Sequence, residues 1–180
     1  MGGGFEAGVF QVTFVCTGNI CRSPMAEFIL RQIAAEHRLT ERLLVSSAGT
    51  GDWHVGEPAD PRTLAALEAA GYDGRTHRAR SFDPDAFTQS DLIVFFDKSQ
   101  YRALLAIAPN ESARQKLQPL TSFDPNQPQR SEVPDPYYAG APTFSAVCEL
   151  IESCCRNLFS QIAPALHASE ATGGSGSGPS

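Results

Sequence analysis

The sequence predicts an α/β domain, and three observations indicate this architecture. Short apolar runs at 9–16, 43–47 and 91–97 have the length and composition of buried strands. Stretches with helical periodicity, such as 61–70 and 144–167, lie between or after them. Strands that alternate with helices usually pair in parallel, because each helix crosses a face of the sheet. The predicted fold is therefore a single α/β domain with a four-stranded parallel sheet flanked by helices.

The first half of the chain supplies two strands and two helices. Residues 9–16 form the first strand, and a short glycine-bearing loop leads to a helix for which Ser23 is the expected N-cap. The second strand is 43–47. Asp60, followed by proline, opens the second helix, and Gly71 ends it.

The second half of the chain completes the sheet. Residues 91–97 are the clearest buried strand, a helix over 99–108 follows, and 116–121 is the fourth strand. Thr143 is the expected cap of a long helix over 144–167. The inner face of this long helix carries Val147, Ile151, Cys154, Leu158 and Ile162.

The composition is that of an ordinary globular protein. The chain has 180 residues, of which 42% are hydrophobic and 19% charged. We expect one domain over 9–167, with residues 1–8 and 168–180 as flexible termini. Five cysteines are an odd number, so free thiols and a cytoplasmic location are expected, although export by a signal-free route stays open.

The charge balance restricts the class of partner. A net charge of −6 argues against nucleic acid, which selects a clustered basic face. A small phosphorylated ligand needs only a local positive pocket. Twelve of the 14 basic residues are arginine, whose planar fork matches two phosphate oxygens at once. No apolar run is long enough for a membrane span, so no membrane partner is expected.

The stretch FVCTGNICRSP (14–24) connects the first strand to the first helix. In this position backbone N–H groups and the helix dipole favour an anion. Gly18 and Asn19 suit the tight turns of such a loop, and Arg22 supplies a fork for two oxygens. Cys16 stands at the mouth of the loop, where the positive potential would favour its thiolate form. The loop therefore predicts a nucleophile aimed at a bound phosphate.

The string VCTGNICRSP resembles the low-molecular-weight protein tyrosine phosphatases, of the bacterial type, and Asp135 in DPYY supports the resemblance. The resemblance implies that Cys16 attacks phosphorus, that Arg22 holds phosphate oxygens and that Asp135 is the general acid. Its implied phosphate-binding loop is Thr17, Gly18, Asn19, Ile20, Cys21, Arg22 and Ser23.

The resemblance also implies roles around this loop. Ser23 would donate a hydrogen bond to the sulfur of Cys16. Ser47 and His77 would hold Asn19, and Asp97 matches a family carboxylate near the site. The implied substrates are phosphotyrosine proteins or peptides, and inorganic phosphate is the product. Neither a metal nor an organic cofactor is required.

Four aromatic or ring-bearing residues are candidates for the walls of a substrate cleft: Trp53, His54, Tyr137 and Tyr138. Simple loop packing is the alternative for each of them. His77 lies in RTHRAR, where a solvated basic loop is an equal alternative to a supporting role. Cys16 as a core thiol, or Cys16 and Cys21 as zinc ligands, are the weaker alternatives at the loop.

Other functions compete with tyrosine phosphatase activity. A protein-arginine phosphatase of the same fold would carry threonine where this chain has Ile20. An arsenate reductase would need further cysteines as a disulfide relay, and none lies between 21 and 148. A non-catalytic phosphate-binding module would have no use for Asp135. Cys21 is a candidate resolving thiol for oxidised Cys16, with packing under the loop as the alternative.

Overall fold

The computed structural model describes residues 8–127 and 129–168. The four strands found there are β1 (Phe10–Cys16), β2 (Leu43–Gly49), β3 (Leu92–Phe95) and β4 (Leu117–Pro119). The α-helices are α1 (Arg22–Glu36), α2 (Pro61–Ala69), α3 (Ala86–Gln89), α4 (Lys98–Ile107), α5 (Glu111–Gln115) and α6 (Ala141–Ala168). A 3₁₀ turn (Leu120–Phe123) follows β4.

The strands form one parallel sheet in the order β2-β1-β3-β4. Because all four strands run the same way, their carboxyl ends lie at one edge of the sheet. The second strand lies on one side of β1, and the third and fourth strands lie on the other side. This change of direction leaves a crevice at the carboxyl edge beside β1, where ligands of open α/β sheets usually bind. The predicted α/β class and the four-stranded parallel sheet flanked by helices are confirmed.

The sheet separates two apolar clusters. Alternate residues of β1 point to opposite faces, so Phe14 packs in the larger cluster and Val15 in the smaller one. The larger cluster lies between the sheet and α1, α2 and α6, and the smaller one lies against α4 and α5. The predicted inner face of the long helix is buried at Val147, Ile151, Cys154 and Leu158, whereas Ile162 is only partly buried.

Two predicted helix caps are wrong. α1 begins at Arg22, so Ser23 lies inside its first turn, and its hydroxyl is bonded to side chains of the loop instead. α6 begins at Ala141, and the N–H group of Thr143 already donates to the carbonyl of Gly140 at 3.0 Å. The short helices α3 and α5 were not predicted, because four or five residues are too few for a helical periodicity to be visible.

The predicted flexible termini, 1–8 and 168–180, fall almost entirely outside the described residues. Among the helices that are described, none is long and apolar enough to cross a membrane.

Helix α6 provides a test of where the stability of this fold lies. Leu158 is fully buried in the larger cluster, whereas Leu44 on β2 is 49% exposed. Leu158→Ala should lower the free energy of unfolding by about 2–5 kcal/mol, because it leaves a cavity. Leu44→Ala, the matched control, should cost about 0.5 kcal/mol. Urea unfolding measures both, and equal losses would contradict the assignment of the core.

Candidate active site

The loop between β1 and α1 curls at the carboxyl edge of the sheet. Asn19 has a φ of 57°, a left-handed conformation that asparagine tolerates better than most residues. The loop packs directly on the end of β2, where Gly49 is the register partner of Cys16. A Cβ atom on Gly49 would lie 2.6 Å from the carbonyl oxygen of Thr17. Only glycine therefore allows this close approach.

Asn19 is fully buried, and both ends of its side-chain amide are hydrogen-bonded. The backbone N–H of Arg80 donates to its Oδ1 at 2.9 Å, and this contact fixes the orientation of the amide. Its Nδ2 then donates to Ser23 Oγ at 2.8 Å and to Ser47 Oγ at 2.9 Å. The structure thus brings Ser47 to Asn19, at the place that the sequence implied.

His77 supports the same residue from the backbone side. Its Nε2 lies 2.6 Å from the carbonyl oxygen of Asn19, which can only accept, so the proton sits on Nε2. Burial lowers the pKa of His77, while the hydrogen bond to Asn19 acts in the opposite direction. The imidazole is buried, so the alternative of a solvated basic loop is wrong for this residue.

Cys16 lies at the floor of the loop with its sulfur 2.8 Å from the hydroxyl of Ser23. The oxygen of Ser23 already accepts from Asn19, so its own hydrogen is available to donate to the sulfur. A hydroxyl donor of this kind stabilises a thiolate. Cys16 is 3% exposed and belongs to the larger apolar cluster.

The side chain of Arg22 is buried, with only 2% of its surface exposed. Its Nη1 donates to Asp97 Oδ2 at 2.7 Å and to the carbonyl of Val133 at 2.9 Å. Its Nη2 lies 3.5 Å from Asp135 Oδ2. The donors on Nε and Nη2 are therefore the ones left for the oxygens of a bound anion.

Asp97 pairs with Arg22 and is also the N-cap of α4. Burial acts to raise the pKa of Asp97, but the hydrogen bond and charge of Arg22 hold it below its ordinary value. Its Oδ1 accepts from the N–H of Ser99, and Gln100 completes a capping box for α4. The same Gln100 donates to Thr17 Oγ1 at 2.9 Å. Sequence reasoning missed Gln100, although the spacing Asp97-x-x-Gln100 is the signature of a capping box.

Asp135 reaches the cleft from the segment before α6. Its side chain is 46% exposed, in contrast to the buried loop below it. One carboxylate oxygen accepts from the N–H of Tyr137 at 3.1 Å, and the other is the oxygen near Arg22. The carboxyl group therefore faces both the anion pocket and solvent.

A cleft of about 400 Å³ opens above the loop. Its lining residues are Cys16, Thr17, Gly18, Ile20, Cys21, Arg22, Trp53, His54, Asp135, Tyr137 and Tyr138. Trp53 and Tyr138 are 70% and 94% exposed, so neither residue is packed into the core. His54 Nδ1 donates to a carboxylate oxygen of Glu57 at 2.7 Å, a contact that holds the ring of His54 beside the cleft. The four predicted wall residues therefore lie together around the loop.

Cys21 also faces this cleft but differs from Cys16 in its surroundings. Burial raises the pKa of Cys21 to about 12, with the nearby Thr63 hydroxyl acting in the opposite direction. Its thiol is therefore protonated at neutral pH. Both cysteines are free, and a resolving role for Cys21 stays a prediction. Among the described residues, no group of three or more His, Cys, Asp and Glu side chains is arranged to hold a metal ion.

Comparisons with known proteins agree with this geometry. Residues 11–168 match the sequence model of the family described as low molecular weight phosphotyrosine protein phosphatase. A low molecular weight protein-tyrosine-phosphatase of Streptomyces coelicolor is 44% identical over 154 residues, which are 85% of this chain and 93% of that protein.

Solved structures of similar proteins share the fold. A protein tyrosine phosphatase of Entamoeba histolytica, crystallised with Hepes in its active site, has a TM-score of 0.81 and 35% identity, over 86% of this chain and 97% of that one. Vibrio vulnificus Wzb in complex with benzylphosphonate has a TM-score of 0.72 and 28% identity, over 86% of this chain and 99% of that one.

The close approach at Gly49 can be tested. In Gly49→Ala the new Cβ would push on the backbone at Thr17 and Asn19, so vanadate should bind much more weakly while the fold is retained. Gly140→Ala is the control, because the nearest atom to its added Cβ lies 3.6 Å away. Calorimetric titration with vanadate and urea unfolding measure the two effects. Unchanged vanadate affinity in Gly49→Ala would contradict the constraint.

Proposed function

The chain belongs to the low molecular weight phosphotyrosine protein phosphatase family, and from this membership we propose that it hydrolyses phosphotyrosine in proteins through a cysteinyl-phosphate intermediate. The observation that carries the proposal is the convergence of Cys16, Arg22 and Asp135 on one cleft. A sulfur nucleophile, a phosphate-binding fork and an acid are the groups that this hydrolysis requires.

In the first step the thiolate of Cys16 attacks phosphorus. A sulfur–phosphorus bond forms while the bond from phosphorus to the tyrosine oxygen breaks, and Asp135 gives its proton to that oxygen. Arg22 and the N–H groups of the loop bind the equatorial oxygens, where charge is spread in the transition state.

In the second step water attacks the phosphorus of the intermediate. The carboxylate of Asp135 takes a proton from the water, the sulfur–phosphorus bond breaks, and inorganic phosphate leaves. Cys16 departs as a thiolate, which the hydroxyl of Ser23 stabilises at 2.8 Å. The same hydrogen bond therefore favours the nucleophile in the first step and the leaving group in the second. The chain's own side chains carry both steps.

Three features support tyrosine as the substrate residue. The exposed rings of Trp53 and Tyr138 provide faces on which a phenyl ring can stack. Ile20 lines the cleft and offers no hydroxyl for the guanidinium of phosphoarginine. The similar protein Wzb forms a complex with benzylphosphonate, a compound whose phenyl ring is joined to a phosphonate through a methylene group.

The buried cysteines of α6 do not favour an arsenate reductase. Burial raises the pKa of Cys148 to about 11 and of Cys154 to about 12, and raises that of Cys155 strongly. Thiols of this kind are poorly suited to relay a disulfide to the surface. All five cysteines are free, which fits the reducing cytoplasm where we expect the protein to act.

Activity assays on four substrates test the proposed function. We expect wild-type kcat/KM to be highest for a phosphotyrosine peptide and much lower for phosphoserine, phosphoarginine and arsenate. Cys16→Ser should abolish turnover but still bind vanadate, whereas Cys148→Ser, the control, should retain activity because Cys148 is buried in α6. Equal kcat/KM values for phosphoserine and phosphotyrosine would contradict the substrate, and turnover by Cys16→Ser would contradict the intermediate.

The role of Asp135 has a separate test. Asp135→Asn should lower kcat/KM for phenyl phosphate by about 10²–10⁴-fold, the usual cost of losing a general acid. This corresponds to roughly 3–5.5 kcal/mol of barrier. The loss should be much smaller for dinitrophenyl phosphate, whose phenolate leaves without a proton. Equal losses on both substrates would indicate a structural role.

A further inference from the structure

The segment that carries Asp135 is attached to the rest of the protein at two points. At its start, Val133 is fully buried, its N–H donates to the carbonyl of Phe96 at 2.8 Å, and its carbonyl accepts from Arg22. At its end, the carbonyl of Ala139 accepts a hydrogen bond from Arg62 Nη1 at 2.9 Å. Asp135 lies between these attachments, so both determine where its carboxyl group stands.

Arg62 is itself held firmly by Asp60 at the start of α2. Arg62 Nε and Nη2 donate to the two carboxylate oxygens of Asp60 at 3.0 and 2.8 Å, and the backbone N–H of Arg62 donates to Asp60 Oδ1 at 2.8 Å. These hydrogen bonds also hold the pKa of Asp60 below its ordinary value. The guanidinium carbon lies 4.4 Å from the ring centroid of Phe144. Arg62 is therefore a preorganised donor toward Ala139.

The same pair is connected to the phosphate-binding loop. The N–H of Asp60 donates to the carbonyl of Ile20 at 2.9 Å. A continuous path of hydrogen bonds thus runs from Ile20 through Asp60 and Arg62 to Ala139.

The position of Ala139 is transmitted to Asp135 by two local turns. The N–H of Ala139 donates to the carbonyl of Pro136 at 2.8 Å, and the N–H of Tyr137 donates to Asp135 Oδ1 at 3.1 Å. The guanidinium of Arg62 also lies 5.7 Å from the ring centroid of Tyr137. Release of Ala139 would loosen both turns, because residues 134–140 contain no helix or strand of their own.

We propose that Arg62 is a positioning residue for the general acid, which it orients toward the phosphate-binding loop by holding the carbonyl of Ala139. This inference rests on the proposed function, because it assumes that Asp135 donates the proton to the leaving group. Arg62 does not touch the reacting atoms. Its effect should therefore appear only where proton donation by Asp135 matters.

The chain contains a matched control in Arg75. Arg75 binds Asp73 two residues earlier with the same pattern: Nε to Oδ1 at 2.9 Å, Nη2 to Oδ2 at 2.8 Å, and backbone N–H to Oδ1 at 3.0 Å. In the part of the chain that the structure describes, the guanidinium of Arg75 makes no further hydrogen bond. Comparison of the two arginines separates the contact with Ala139 from the aspartate–arginine pair.

The test measures kcat/KM for phenyl phosphate and dinitrophenyl phosphate in Arg62→Ala, Arg62→Lys and Arg75→Ala. Arg62→Ala should lose about 10- to 100-fold on phenyl phosphate, as expected when a catalytic group is misplaced by about 1 Å. It should stay near wild type on dinitrophenyl phosphate. Arg62→Lys keeps the charge but not the fork, so it should show the same selective loss. Arg75→Ala should match wild type on both substrates.

A double-mutant cycle with Asp135→Asn completes the experiment. If Arg62 acts through Asp135, Arg62→Ala should cost less than about twofold in the Asp135→Asn background. An equal loss on both substrates, or an additive loss in the double mutant, would overturn the positioning role while leaving the proposed function intact. If Asp135→Asn alone shows no selective loss on phenyl phosphate, both the acid assignment and the role of Arg62 are overturned. Arg62→Lys carries the test if Arg62→Ala fails to fold.

Discussion

The buried guanidinium of Arg22 is the interaction on which the rest of the site depends. A positive charge that is 2% exposed is costly unless it is paired and fully hydrogen-bonded. The pairing comes from Asp97, the N-cap of α4, and from the carbonyl of Val133, which lies 111 residues after Arg22 in the chain. Three distant segments must therefore meet before the charge is stabilised, and the cleft above the loop is formed where they meet.

Burial divides the site into two parts with different requirements. The loop that is proposed to bind the anion is largely buried, with Asn19 and Ser23 fully inaccessible and each hydrogen-bonded within a closed network. Asp135, Trp53 and Tyr138 are exposed. In the proposed reaction the phosphoryl group needs donors that do not reorganise, whereas the leaving group must enter and depart and water must follow it. The distribution of burial matches that division.

The sequence predicted the sheet and the place of the loop well, because their signals are local. Apolar runs marked the strands, and a glycine-containing stretch between a strand and a helix marked the anion site. Ser23 shows where local reasoning failed. Its position before Pro24 suits a helix cap, but its hydroxyl is bonded to Cys16 and Asn19 of the curled loop, and the helix begins at Arg22, two residues before Pro24. The tertiary contacts overrode a correct local preference.

Two contacts that sequence reasoning missed join a side chain to a distant backbone atom. The N–H of Arg80 fixes the amide of Asn19, and Arg62 binds the carbonyl of Ala139. A backbone N–H or carbonyl is present at almost every position, so no residue pattern announces which one will be used. Arg62 and Arg75 make this point directly, because each follows an aspartate by two residues and binds it in the same way. Only the fold brings Ala139 to one of them, which connects the segment that carries Asp135 to the loop after β1.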